Sequence, residues 1–192
     1  MGQAGMAEAA VRYLRSGKAL SVEALPRPEL RCVREDERAP VDPAEFRRVL
    51  GNFATGVTVI TAPGTPPAGF ACQSFSSLSL DPPLVAFMVG RTSATWPRIA
   101  QAGVFCVNVL SADQGELCRA FAVSGADKFA GVTHDPAPAS GSPRLAGTLA
   151  WIDCTIHAVH TGGDHLIVVG RVDALGAGGG DAPLLFHRGR FL

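Results

Sequence analysis

The run Gly69-Phe70-Ala71-Cys72-Gln73-Ser74-Phe75-Ser76-Ser77-Leu78-Ser79-Leu80-Asp81-Pro82-Pro83-Leu84-Val85-Ala86-Phe87-Met88-Val89 sets small hydroxyls, an amide and a thiol beside a strand that is apolar on both faces. Small hydroxyls leave backbone amides free beside that apolar strand. Donors next to an apolar wall are what a flat heterocycle with a polar edge needs. The plainer reading is a polar strand–turn–strand with no ligand. Within the run Ser77 and Ser79 share a strand face, but Ser79 sits before Asp81-Pro82 and reads as a turn former, so only Ser77 is kept as a binding residue.

Other residues bear on chemistry. Ser93 and Thr95 stand at a helix start, where hydroxyls and unpaired amides meet the positive end of the helix dipole and form a natural phosphate site; the same residues read as ordinary N-caps. Gly90, after Val89, lets a ligand approach the backbone closely. Lys128 alone reads as a solvated charge, and His165 and His187 as hydrogen-bonded residues at strand ends. His157 and His160 are three apart on an expected strand, face opposite ways and cannot share a metal; with no HExxH or clustered ligands, no metal is expected. Gly-x-Ser-x-Gly is absent, which removes the hydrolase elbow.

These groups need elements to hold them. Asp42-Pro43-Ala44-Glu45 is a helix start, with an N-cap Asp, Pro at the first position and an acid at the third, and predicts a helix from Pro43 to about Phe53. Val57 to Thr61 alternates and is β-branched, while Phe75–Leu80 and Leu84–Val89 read as further strands. Leu84–Val89 is apolar on both faces, so each needs a cover; a second subunit is expected for one. Ser93–Gln101 and Ser111–Phe121 read as helices, the second with Ser111 and Gln114 as a capping box, around a strand at Val104–Leu110. Phe129–Arg144 reads as loop, Leu149–Val159 and His165–Val172 as a long hairpin turning at Thr161–Asp164, and Leu184–Phe186 as the closing strand. About six strands with short helices and no regular βα alternation suggest an antiparallel barrel, mainly β. The cluster Gly176-Ala177-Gly178-Gly179-Gly180-Asp181 lacks room for a βαβ unit and reads as a flexible turn.

The 192 residues, 47% hydrophobic and 18% charged, suffice for one core. Residues 1–40 interleave Arg and Glu with prolines and read as a loosely ordered N-terminal extension, with a short helix at Ala7–Leu14; residues 41–192 are the folded domain. Seventeen Lys and Arg balance seventeen Asp and Glu, so neither nucleic acid nor a membrane surface is an expected partner. Five cysteines form no CxxC pair, the number is odd, and there is no signal-like or spanning apolar run, which points to a soluble, cytoplasmic protein.

The first run resembles the pattern G-x-T-A-N-S-F-x-S-x-S-L-D-P-P-L of the flavin reductase family, small partners of two-component monooxygenases. Further matches follow in the family's order: Phe53–Thr61, Ser93-Ala94-Thr95-Trp96, Phe105–Leu110, Phe121-Ala122, Asp127-Lys128-Phe129, Gly163-Asp164-His165 and Pro183–Phe191, so that the likeness covers Asp42–Leu192. The resemblance implies a six-stranded antiparallel split β-barrel of the FMN-binding type. It also implies a homodimer that moves a hydride from NADH or NADPH to FMN or FAD and hands reduced flavin to a flavin-dependent monooxygenase. It places Ala71, Cys72, Gln73 and Ser74 at the flavin's pyrimidine edge, Ser77 at the ribityl chain, Val89 and Gly90 as backbone passing the ring, and Ser93, Thr95 and Lys128 at the phosphate. His165 and His187 fall near the face where the nicotinamide stacks, as catalytic helpers. This chain has Ala71-Cys72-Gln73-Ser74 where the family has Thr-Ala-Asn-Ser. Hydride transfer needs alignment rather than a nucleophile, so the missing triad does not count against an enzyme. Two other readings remain: a barrel that retains flavin or haem as an electron carrier, and a non-redox biosynthetic barrel.

Overall fold

Asp42 caps a helix as the sequence predicts, its Oδ1 accepting from the amides of Ala44 and Glu45 at 2.9 Å each and opening helix α1 over Pro43–Leu50. The computed structural model describes residues 41–125 and 127–192; the expected extension at 1–40 and its helix lie outside the described residues. Helix α1 stops three residues short of Phe53. Asn52 turns its Nδ2 back to the carbonyls of Arg48 and Val49, at 3.1 and 2.9 Å, and satisfies the helix end there.

Strands β1 (Thr55–Gly56), β2 (Thr58–Ala62), β3 (Ala68–Cys72), β4 (Ser76–Leu80) and β5 (Pro83–Gly90) follow, then helix α2 (Trp96–Ala102), strand β6 (Val104–Val109) and helix α3 (Gly115–Ala122). Both helices begin later than expected. Ser93 Oγ accepts from the amide of Trp96 at 3.2 Å and Thr95 makes no side-chain cap. Gln114 completes half of the expected box, its Oε1 accepting from the Ser111 amide at 3.1 Å, but the Ser111 hydroxyl bonds Asp113 and the Gly147 carbonyl, so helical turns start only at Gly115.

The segment expected to be loop contains a small ribbon, β7 (His134–Pro136) against β8 (Pro143–Leu145). Its fastening is polar and buried. Asn108, fully buried, donates from Nδ2 to the carbonyls of Val59 and Pro143 and accepts the Leu145 amide at 2.8 Å on Oδ1. The long hairpin is present, longer than its sequence reading: β9 (Ala150–Gly162) and β10 (His165–Ala177) turn at Gly163-Asp164. The glycine cluster is not a free turn. Gly176 lies within β10 against the indole of Trp151, where an added Cβ would lie 2.7 Å from the ring, and Gly178 donates to the Leu149 carbonyl at 2.6 Å with no space for a side chain. β11 (Leu185–His187) and β12 (Arg190–Phe191) close the chain.

The main sheet is antiparallel with seven strands, in the order β3-β2-β6-β9-β10-β5-β4, rather than six; a second sheet pairs β1, β11 and β12. Its edge strands, β3 and β4, are joined by only Gln73, Ser74 and Phe75, so Cys72 and Ser76 lie no more than about 14 Å apart and the sheet must curl. No β-ladder joins β3 to β4 or β5 among the described residues. Instead the Ser74 hydroxyl bridges the gap, accepting from the Met88 amide and donating to the Met88 carbonyl at 2.9 Å each. Phe87 fills the curled interior, edge-on to Phe105 at 5.2 Å and to Trp96 at 6.4 Å. A second core of Val57, Leu110, Phe121 and Leu184 sits under α3. No helix among the described residues is long and apolar enough to cross a membrane.

Candidate functional site

A cavity of about 770 Å³, within the range of small-molecule and cofactor sites, opens where the seam at Ser74, the end of β5, the turn into α2, helix α3 and the β11–β12 hairpin meet. One wall is the edge strand β3 and its continuation, Phe70 to Ser74. An edge strand leaves alternate amides outside the ladder, and here that edge borders the cavity. Opposite stand Cys118, Phe121 and Ala122 of α3, with Phe186 and Phe191 from the terminal hairpin packed edge-to-face at 5.6 Å.

Ten of the residues singled out from sequence line this cavity: Ala71, Cys72, Gln73, Ser74, Val89, Gly90, Ser93, Thr95, Lys128 and His165. Two do not. Ser77 pairs with Val85 on β5, four residues from Val89 and hence roughly 13 Å down the strand. His187 follows Phe186 on β11, and since successive strand side chains point to opposite faces, Phe186 lining the cavity turns His187 away. Sequence reasoning passed over Phe186, Phe191, Cys118 and Phe121. The parity of β11 and the three-residue spacing of 118 and 121 on one helix face carried the signal for three of them.

Lys128 is the only lysine or arginine among the residues lining the cavity. Its Nζ donates to the carbonyls of Phe121 and Gly69 at 3.0 and 3.2 Å, and no carboxylate among the described residues lies within ion-pair distance. Burial pulls its pKa below the usual lysine value. An ammonium with two carbonyl partners and no counter-charge has a third N–H for an anion. At the rim, His165 Nδ1 lies 2.8 Å from Asp164 Oδ1, and this hydrogen bond holds the Asp164 carboxyl below its usual range. Burial raises the thiols of Cys72 and Cys118, so neither is an activated nucleophile. No cluster of His, Cys, Asp and Glu suited to a metal occurs among the described residues.

The cavity thus joins the outer edge of β3, aromatic side chains and one ammonium without a carboxylate partner among the described residues. Residues 50–192 match the model of the flavin reductase like domain, and the chain belongs to that family. It is 50% identical over 152 residues to the reductase subunit HsaB of a flavin-dependent monooxygenase from Rhodococcus jostii, covering 79% of this chain and 77% of the relative. It is 40% identical over 156 residues to an NADH-dependent FAD reductase of Streptomyces globisporus, covering 79% and 86%. Among solved structures, nitrilotriacetate monooxygenase component B from Mycobacterium thermoresistibile superposes with a TM-score of 0.75 at 49% identity, over 78% of this chain and 84% of that one. The Streptomyces globisporus NADH:FAD oxidoreductase in complex with NAD and FAD fragments gives 0.75 at 39% identity, over 81% and 96%.

Proposed function

We propose that this protein is an NAD(P)H:flavin oxidoreductase that reduces FAD or FMN and releases the reduced flavin to a partner flavin-dependent monooxygenase. The observation that carries the reading is Lys128, an ammonium without a carboxylate partner among the described residues, placed in one cavity with the outer edge of β3 and four phenylalanine rings. Bound flavin supplies the ring that takes a hydride from reduced nicotinamide. The chain supplies alignment: the backbone from Ala71 to Ser74 meets the polar edge, Lys128 with Ser93 and Thr95 holds phosphate, and His165 stands at the rim for the nicotinamide. Relatives at 40 to 50% identity carry names of this activity, which supports NADH and FAD as the first pair to assay.

The finer reading is a six-stranded split barrel closed at the Ser74 seam, formed by residues 41–192 behind an extension at 1–40, working as a cytoplasmic homodimer. The four described cysteines are all free, as a reducing compartment requires. Purified protein mixed with NADH and FAD, then with NADPH and FMN, is followed by loss of nicotinamide absorbance. Catalytic oxidation with free flavin is the expected result. A protein that stays yellow through purification yet oxidises no nicotinamide, or one that is colourless and inert with every pair, would overturn the proposal.

A further inference from the structure

The terminal hairpin that carries Phe186 and Phe191 turns through Arg188 and Gly189, with φ of 48° and 80°; Arg188 is the only non-glycine among the described residues with positive φ. Two successive left-handed residues make the tight turn a hairpin favours, but its usual first residue is Asn, Asp or Gly. Arginine gains nothing from that backbone. Its contacts give it a reason to be there. The Arg188 amide donates to the Gly51 carbonyl at 3.0 Å, and its guanidinium donates to Asn52 Oδ1 from Nε at 2.8 Å and again from Nη2. Asn52 is itself fixed by its bonds to the end of α1. A chain of hydrogen bonds therefore runs from α1 through Asn52 and Arg188 to the hairpin whose two rings wall the cavity, while neither Asn52 nor Arg188 lines the cavity itself.

We propose that Arg188 and Asn52 form a positioning latch that sets the Phe186–Phe191 wall against the flavin site. The inference rests on the reading that this cavity takes flavin. Held at the turn, the hairpin presents its rings in one orientation. Without the guanidinium the turn keeps the backbone bond from residue 188 to Gly51, the β1–β11 pairing and the Arg119 contact with Phe191, but it loses the side-chain tie to Asn52 that fixes how the rings are presented.

The test is a double-mutant cycle read by FAD titration of the flavin-free protein, using quenching of flavin fluorescence. Arg188→Gly suits the turn better than arginine, so its melting temperature should not fall, and any loss of affinity belongs to the latch. Arg188→Gly and Asn52→Ala are each expected to raise the dissociation constant about fivefold, and the double variant no further, because the two act as one pair. Asn52→Asp keeps the acceptor for the guanidinium but loses the donor to α1, and should bind within about twofold of wild type. Additive losses, Asn52→Asp as weak as Asn52→Ala, or unchanged affinity in both single variants would overturn the latch while leaving the flavin site intact. Wild-type protein that binds no flavin would overturn the site reading, and the latch with it.

Discussion

Lys128 shows how a residue's surroundings replace its sequence reading. In isolation it reads as a solvated charge, yet it sits in the cavity on two carbonyls with its pKa lowered by burial. Its ammonium persists up to the folded pKa, which lies below the ordinary 10.5. If Lys128 holds the flavin phosphate as proposed, that contact is expected to be present at neutral pH and lost as pH rises through the lowered value, earlier than for a surface lysine. The expected outcome is an FMN dissociation constant that climbs between neutral pH and about pH 10, while that of riboflavin, which lacks phosphate, stays flat. Lys128→Met should weaken FMN about tenfold at neutral pH and riboflavin hardly at all; equal losses for the two ligands would remove the lysine from the phosphate. The sequence was informative where chemistry depends on residue type and neighbours, as at Ala71–Ser74, and blind where it depends on which face a short strand presents. At β11 a single step of parity separates Phe186, which lines the cavity, from His187, which does not.

Among the elements, β3 and β5 meet at a seam that no β-ladder joins among the described residues, and both strands border the cavity. Of the strands flanking the seam, β5 was legible from the apolar run Leu84–Val89, whereas β3, Ala-Gly-Phe-Ala-Cys with no β-branched residue, was not read as a strand. The curl was not legible either, since no local pattern says that the first and last strands of a seven-stranded sheet will meet across three residues. One hydroxyl, Ser74 Oγ, makes both bonds of a missing ladder pair. Ser74→Ala leaves the Met88 amide and carbonyl without that partner; since these bonds are exposed, the expected cost is about 0.5–1.5 kcal/mol of stability, read as a lowered urea midpoint. The same variant should bind flavin more weakly, as the wall from Phe70 to Ser74 loses its fixed distance from Val89 and Gly90. A stable variant with unchanged flavin affinity would show that the seam neither holds the sheet nor shapes the site. Local capping was equally readable at Asp42, yet it predicted too long a helix, because Asn52 satisfies the end of α1 before Phe53 is reached.

For the whole molecule, the question is what covers the apolar surface left outside. Helix α1 has no buried residue, and Phe46, Val49, Leu50 and Phe53 are between half and four-fifths exposed. An eight-residue helix is marginal in water on caps and propensity alone, so burial of that face is expected to supply the rest. The proposed homodimer is expected to bury that face; the doubly apolar strand at Leu84–Val89 led to the same expectation of a second subunit, and Met88 on that strand, which also lines the cavity, is 43% exposed. Sedimentation equilibrium is expected to return twice the monomer mass at micromolar concentration. Phe46→Glu combined with Val49→Glu places two charges on the face to be buried and should yield the monomer, with faster amide exchange throughout Pro43–Leu50. Wild type sedimenting as a monomer would sink the dimer outright. A dimer that survives both substitutions would instead move the contact from α1 to the outer face of β5 and β10, where Met88 is paired with Ile167.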